Sequence, residues 1–396
     1  MLKAVIFDMD GVIIDSEPLH AQAAVNALKL FGLNISLDFC YGFIGSTATH
    51  MLEVIKEQYG LDTPLAELVE ANNNEKRRLA ETDGYPEIPY VTRLIKNLKE
   101  NGIKLALASS SPLADIMSTV KKLSLEPLLD VIVSGEELNN PKPAPDIFLN
   151  ASAKLDVSPS DCVVIEDSYN GITAAKAAGM TRIGFLNPHS GNQDLSGVDF
   201  VIEGFEEIDY RFVNQVYLRS KGLPVTITQT ERLILRELTV DDIKKMYTDI
   251  YSAPEIREFI DDIDDYLECE IEKHKAYIKN VYAFYGYGYW GVFDKESERL
   301  IGRCGIQNNK IDGRTEIELG YLLDVNHWDR GYAVECTKAV LNYAFCVLEI
   351  PRIVAVVDKL NIRSQRVAGR IGMKIEKEIK QNGRSCYLYI IEKNKA

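Results

Sequence analysis

The sequence predicts an α/β chain of two domains: a parallel sheet covered by helices on both faces and interrupted by a helical cap, then a mixed α+β domain. Three observations carry this prediction. Residues 1–215 alternate short apolar runs with amphipathic helical stretches, the pattern of a parallel sheet whose crossovers are helices. The alternation breaks once, over residues 16–84, where only helical patterns occur. Across residues 226–396 strand-like runs follow one another directly, as in an antiparallel meander. At 396 residues the chain also exceeds one typical domain.

In the first domain strands are predicted at AVIF (4–7), KLALAS (104–109), DVIVS (130–134), CVVIED (162–167) and TRIGFL (181–186), with helices such as VTRLIKNLKENG and DIFLNASAKL between them. The inserted cap consists of PLHAQAAVNALKLFG, TATHMLEVIKEQYG and PLAELVEANNNEKRRLAE. A short linker is expected at 216–225, containing YLRSKGLPV. The second domain, 226–396, opens with a strand in TERLILREL and helices in DDIKKMYTDIY and DYLECEIEKHKAYIKN. Strands YGYGYWGVFD, RLIGRCGIQ and TEIELGYLLD come next. A helix (ECTKAVLNYAFCVL), a strand (RIVAVV), a helix (SQRVAGRIG) and a closing strand (CYLYIIEK) finish the chain.

Composition narrows the function. A formal net charge of -14 argues against a general nucleic-acid binder or a binder of anionic membranes, since both need a basic surface. No run of about 18 apolar residues is present, and the N-terminus enters a strand without a leader-like apolar region, so a cytoplasmic protein is expected. Seven scattered cysteines, none in a CxxC pair, read as free or buried thiols, not as a disulfide framework or zinc site.

Ligands of open parallel sheets sit at the carboxyl ends of the strands. Here AVIF ends in Asp8 and Asp10, two residues apart and therefore on one side of an extended chain at about 7 Å, with Gly11 free to turn the backbone away. KLALA ends in Ser109, DVIVS leads to the loop of Lys142, and CVVI ends in Glu166 and Asp167. Clustered carboxylates call for a hard cation such as Mg2+. With phosphate charge neutralised, one carboxylate can attack phosphorus and a second can move the proton, while a hydroxyl and a lysine suit the non-bridging oxygens.

FDMDG, the Ser109 strand end, Lys142 and EDSYNG together resemble the four motifs of the haloacid dehalogenase-like phosphatases, over about residues 1–215. The resemblance implies a Rossmann-like parallel sheet with a small helical cap, Asp8 as nucleophile, and Asp10 as general acid and base. It further implies that Asp8, the Asp10 backbone carbonyl and Asp167 hold Mg2+ with Glu166 adjacent, and that Ser109 and Lys142 bind the phosphoryl group. The subgroup of β-phosphoglucomutase and the sugar-phosphate phosphatases is nearest, through MLKAVIFDMDGVIIDSEPLH with His20 just inside the cap. The mutase's cap arginine falls at Ala48 in GFIGSTATHML, which favours hydrolysis over a bisphosphate intermediate. Lys76, Arg77 and Arg78 offer a substitute, although a solvated helix face is the plainer reading of them. His20 reads equally as a hydrogen-bonded hinge residue or as a residue that orients Asp10.

In NHWDRGYAVECTKAVLNYAF a glycine turn opens a helix directly after ELGYLL, and such a helix N-terminus suits a pyrophosphate. With NIRSQRVAGRIGM and TERLILREL, these segments resemble the GNAT N-acetyltransferases that modify ribosomal-protein N-termini and similar amines, over about residues 226–396. The resemblance implies acetyl-CoA as co-substrate, its pyrophosphate on the amides of Arg330, Gly331, Tyr332 and Ala333, with Leu322, Asn361 and Ser364 also at the cofactor. Trp328 stands where the family motif usually begins with Gln or Arg. Glu318 is the candidate base for the amine, a strand-surface carboxylate being the bland alternative. Tyr387, Tyr389 and Ser364 are open as donors to the leaving thiolate. The acidic run FIDDIDDYLECEIE reads as a solvated face before an attractor of a cationic acceptor, and YAFYGYGYWGVF as strand packing before an aromatic acceptor pocket.

The expected function is therefore bifunctional: an Mg2+-dependent phosphatase for a small phosphorylated metabolite, fused to an N-acetyltransferase whose acceptor is a small amine or a protein N-terminus. Two alternatives accompany it, a phosphohexomutase in the first half and a non-catalytic acyl-CoA sensor in the second.

Overall fold

The computed structural model describes residues 1–43, 48–260 and 263–393. The chain divides into two units, Met1–Lys221 and Gly222–Ala396.

The first unit begins with β1 (Ala4–Phe7) and passes at once into α1 (Glu17–Leu30), α2 (Leu37–Tyr41), α3 (Ala48–Tyr59) and α4 (Leu65–Thr82), which form the inserted cap. It continues through α5 (Val91–Glu100), β2 (Lys104–Ser109), α6 (Leu113–Lys122), β3 (Val131–Ser134), α7 (Asp146–Lys154), β4 (Cys162–Glu166), α8 (Tyr169–Ala177), β5 (Thr181–Phe185), β6 (Phe200–Ile202) and α9 (Tyr210–Ser220). The sheet is parallel in the order β3-β2-β1-β4-β5-β6. Both its faces are covered: Val5 and Phe7 of β1 belong to one core cluster, Ala4 and Ile6 to another. The chain order reverses between β1 and β4, and at such a switch point the loops part to leave a crevice.

The linker is shorter than expected. Residues 216–220 are the end of α9, and Val216 and Tyr217 are buried in the core. The strand β6, absent from the expected set, closes one edge of the sheet.

The second unit runs β7 (Thr226–Gln229), β8 (Leu233–Arg236), α10 (Val240–Asp249), α11 (Pro254–Arg257), α12 (Leu267–Tyr277), α13 (Ala283–Tyr285), β9 (Tyr289–Asp294), β10 (Leu300–Ile311), β11 (Arg314–Leu323), α14 (Tyr332–Cys346), β12 (Arg352–Asp358), α15 (Ile362–Arg370), β13 (Lys374–Gln381) and β14 (Arg384–Glu392). Its mixed sheet has the order β13-β14-β12-β11-β10-β9-β8-β7. The expected meander is present, since β9–β10 and β10–β11 pair antiparallel. The aromatic run before Tyr289 is not strand: a π-helical turn over Ile278–Tyr282 and α13 occupy it. β7 and β13 lie outside the expected set, and both are edge strands. Among the described residues no helix is long and apolar enough to cross a membrane, and the seven cysteines are free.

Candidate active site

At the switch point of the first sheet β1 delivers Asp8, whose backbone N–H donates to the Ile165 carbonyl of β4 at 3.1 Å. Met9 turns into the core, so Asp8 and Asp10 share the other side. Gly11 then takes a φ of +79°, and a Cβ there would stand 1.9 Å from Asp167 Oδ2. The turn therefore needs glycine twice over, for its backbone and for its contact.

Asp8, Glu166 and Asp167 are buried, and one oxygen of each lies within 4.8 Å of the others. Lys142 Nζ donates to Asp8 Oδ1 at 2.5 Å and to Glu166 Oε1 at 2.8 Å. Glu166 is held further by the N-terminus of α8: the Ser168 amide and hydroxyl donate to its Oε2 at 2.6 and 2.9 Å, and the Ser168 hydroxyl accepts from the Gly171 N–H at 3.1 Å. The Ser190 hydroxyl donates to Asp167 Oδ2. The Asp10 carboxylate is not part of this trio and accepts from the Ser111 hydroxyl at 2.7 Å and the Ser109 hydroxyl at 3.3 Å.

Electrostatically the site carries an excess of buried negative charge. Burial pushes the Asp8 carboxyl well above the usual carboxylate range; Lys142 opposes this while Glu166, Asp167 and Asp10 add to it. Burial, then Glu166, pushes Asp167 up to about 7. Burial works against the charged form of Lys142 too, but Asp8 and Glu166 outweigh it and raise its pKa. Three buried carboxylates against one ammonium, all offering hard oxygen donors, fit a divalent cation such as Mg2+. Asp8, Glu166 and Asp167 would hold it.

One glycine in this cluster is a sensitive test of it. A Cβ on Gly171 would stand 1.7 Å from Glu166 Oε1. Gly171→Ala must therefore displace the carboxylate that Lys142 and Ser168 hold. It is expected to destabilise the protein by about 1–3 kcal/mol in urea denaturation and to weaken Mg2+ binding in calorimetry. Unchanged stability and binding would contradict this picture of Glu166.

Ser109 is fully buried, its hydroxyl accepting from the Ser111 amide at 3.0 Å. In the cap, His20 Nε2 is buried and finds no hydrogen-bond partner among the described residues, and the ring stands edge-on to Tyr85 at 6.1 Å. Burial and the charge of Lys76 push this imidazole down to about 4 against the pull of Asp10, so it is neutral at neutral pH. Lys76 thus lies in the same electrostatic neighbourhood as His20, whereas Arg78 pairs with Glu75 at 3.0 Å and Arg77 bonds to Asn73 and Asn74 of its own helix. Ala48 opens α3; residues 44–47, which precede it, lie outside the described residues. Residues that sequence reading passed over are Ser111, Asn187 and Ser190. The last two follow β5, a fifth strand ending at the same edge.

The second unit builds a separate cavity. β11 and β12 run parallel but pair at one point, Glu318 with Val354. Beyond it the cavity, about 490 Å3, is lined by Glu318, Gly320, Tyr321, Leu322, Val356 and Tyr289 among others. Glu318 is mostly buried; Asn309 Nδ2 donates to its Oε2 and the Val356 N–H to its Oε1 at 3.4 Å. Burial raises its pKa above the usual glutamate value, against the pull of these two donors. α14 opens at Tyr332 behind Gly331 at φ +81°, and the first N–H groups of a helix lack helical acceptors. Arg232 braces this start, donating to the Arg330 carbonyl at 3.2 Å and pairing with Glu335 at 2.6 Å. Trp328 Nε1 donates to the Leu323 carbonyl at 2.8 Å, and Arg363 stacks on its ring. Asn361 caps α15 through the Ser364 N–H at 3.0 Å.

Two candidate thiolate donors are placed elsewhere. Cys386 lines the cavity, so Tyr387 and Tyr389, of opposite parity on β14, point away from it. Tyr389 is buried, and Tyr387 stacks under Lys359. Ser364 Oγ instead accepts from the Tyr321 hydroxyl at 3.2 Å, which brings in a tyrosine not anticipated. Parts of the acidic run are neutralised by cations that flank it: Lys273 pairs with Asp264 and Glu270, and Arg257 with Asp265. Residues 261–262 of that run lie outside the described residues. In the aromatic run Tyr289 lines the cavity, while Trp290 is fully buried in the core.

Residues 5–185 match the family model described as haloacid dehalogenase-like hydrolase, and residues 232–374 the one described as acetyltransferase (GNAT) domain. A phosphorylated carbohydrates phosphatase of Thermotoga maritima is 35% identical over 182 residues, covering 46% of this chain and 84% of that protein. The β-phosphoglucomutase of Bacillus subtilis is 34% identical, covering 54% of this chain and 95% of the mutase. Hexitol phosphatase B of Escherichia coli is 34% identical, covering 48% and 86%.

Proposed function

This chain belongs to the haloacid dehalogenase-like hydrolases and carries an acetyltransferase (GNAT) domain, and we propose that it is an Mg2+-dependent phosphatase for a small phosphorylated carbohydrate joined to an acetyl-CoA-dependent N-acetyltransferase. The observation that carries the first half is the buried trio Asp8, Glu166 and Asp167 with a single lysine among them. When bound, Mg2+ supplies the positive charge that lets an anionic ester approach three carboxylates. An oxygen of Asp8 attacks phosphorus and forms an aspartyl-phosphate as the ester oxygen leaves. Asp10, oriented by Ser109 and Ser111, gives that oxygen its proton and later takes one from the water that hydrolyses the intermediate. Lys142 holds Asp8 and meets the non-bridging oxygens.

The names of the relatives direct the substrate search to phosphorylated carbohydrates and hexitol phosphates. Release of inorganic phosphate across a panel of these esters, with and without Mg2+, tests the reading; no metal-dependent release from any ester would refute it. Hydrolysis is preferred to mutase chemistry because Ala48 carries no charge to hold a second phosphate. β-Glucose 1-phosphate with a trace of the bisphosphate is expected to give free phosphate, and accumulation of glucose 6-phosphate would reverse the preference.

For the second half, Glu318 is the base that takes a proton from the amine, which then attacks the thioester carbonyl. The opening of α14 at Gly331 suits the pyrophosphate, and Tyr321, which lines the cavity and donates to Ser364 Oγ, is the donor to the leaving thiolate in this reading. Substrate, acceptor and a cytoplasmic setting belong to this proposal. Acetyl transfer from acetyl-CoA to small amines and to peptides with free N-termini, followed by release of free thiol, tests it. Binding of CoA without transfer would favour the sensor alternative.

A further inference from the structure

The loop after β5, Asn187-Pro188-His189-Ser190, makes three contacts with three different parts of the first unit. Asn187 Nδ2 donates to the Gly11 carbonyl at 2.9 Å, inside the turn that follows Asp10. Ser190 Oγ donates to Asp167 Oδ2. His189 Nδ1 lies 2.5 Å from Asp15 Oδ2 as its donor. The loop is also tied to itself: the His189 N–H donates to Asn187 Oδ1 at 2.8 Å and the Ser190 N–H to the Asn187 carbonyl at 3.2 Å, with Pro188 between them. It is a small stiff turn with three outward grips.

Asp15 is where the two crossings between sheet and cap meet. Its N–H donates to the Pro86 carbonyl at 2.8 Å, the Ile88 N–H donates to the Ile13 carbonyl at 2.9 Å, and Ile14 bridges to Glu87. The cap begins at the next residue, Ser16, which precedes α1. Asp15 Oδ1 is buried and makes no hydrogen bond among the described residues, so this carboxylate depends on His189. Without that donor it would be a largely buried charge with little to hold it in place.

We propose that the 187–190 turn couples the carboxylate cluster to the hinge of the cap, with His189 as the positioning residue that carries the link to Asp15. Fixing Asp167 by a cation fixes Ser190, and the stiff turn passes this to His189 and so to the first hinge residue. The inference rests on the reading of Asp8, Glu166 and Asp167 as a metal cluster. It adds a role for the fifth strand end, which the catalytic assignment leaves unused.

The test uses the full chain and MgCl2 alone. Calorimetry measures Mg2+ binding, and hydrogen exchange follows the hinge amides of Asp15 and Ile88. Saturating Mg2+ is expected to slow exchange at both amides by roughly tenfold in the native protein. The slowing should be lost in His189→Ala and in Ser190→Ala, and kept in His189→Asn, whose amide can replace the Nδ1 donor. Mg2+ that binds the native protein with no change at these amides overturns the coupling and leaves the metal cluster standing, as does slowing that survives in His189→Ala. Absence of any Mg2+ binding to the native protein overturns the metal reading, and the coupling with it.

Discussion

Asp8→Asn is expected to abolish phosphate release, lowering kcat by roughly 10⁴-fold or more, the scale of losing a nucleophile outright. Two observations make this a test of chemistry and not of folding. Asn keeps an oxygen where Lys142 Nζ donates at 2.5 Å, and Lys142 also keeps Glu166 at 2.8 Å. The substitution also removes one of three mutually repelling buried carboxylates, whose burial already disfavours the ionised form of Asp8. In metal-free buffer the variant should therefore unfold in urea within about 1 kcal/mol of the native protein. The stabilisation gained on adding Mg2+ should shrink, because a ligand is gone. Native-like turnover in a folded Asp8→Asn protein would remove Asp8 from the nucleophile's role.

Asp10 gives the contrasting result. Its carboxylate is bonded to Ser109 and Ser111 and does not join the buried trio. A proton donor matters most when the leaving oxygen is a poor leaving group. Asp10→Asn should thus cost kcat/KM about 10²–10⁴-fold for a sugar phosphate, and distinctly less for p-nitrophenyl phosphate, whose phenolate leaves without help. Asp8→Asn should cost both substrates alike.

How far the molecule could be read from its sequence depends on what each residue does. The strands that bury both faces, β1, β2 and β4, are apolar runs ending in polar groups, and Asp8 after β1 lies with Glu166 and Asp167 at the end of β4. The strands that escaped, β6, β7 and β13, are all sheet edges. An edge strand buries less, and KIEKEIKQ in β13 is mostly exposed, so no apolar signature marks it. Asn187 and Ser190 escaped because they act through single short bonds from a loop, which leave no period in the chain. Residue type alone leaves Tyr387 and Tyr389 open as donors, whereas strand parity, set by Cys386 facing the cavity, turns them away from it. Glu318 and Tyr321 differ in parity too, yet both reach the cavity because β11 and β12 part just beyond Glu318.

That parting makes Glu318 the most exacting test of the second unit. Glu318→Gln preserves the shape of the side chain and an oxygen for the donors, and it is expected to lower kcat/KM for acetyl transfer by about 10²–10⁴-fold. CoA binding should stay close to native, since the loss is of a base and not of a cofactor contact. The pH profile adds a second, independent check. As the base, Glu318 works when ionised, and its folded pKa lies above 4.5 because burial outweighs the bonds from Asn309 and Val356. Activity should accordingly fall as pH drops through a value above 4.5. Removing Asn309, which pulls that pKa down, lets it rise, so the acid limb of Asn309→Ala should move to higher pH while the rate recovers at alkaline pH. Ionisation of the acceptor amine also shapes this limb, but equally in both proteins, so only Glu318 predicts the shift between them. Coincident acid limbs in native and Asn309→Ala protein, or native rates in Glu318→Gln, would assign the proton to another group; CoA binding with no transfer in any of the three would make the second unit a sensor.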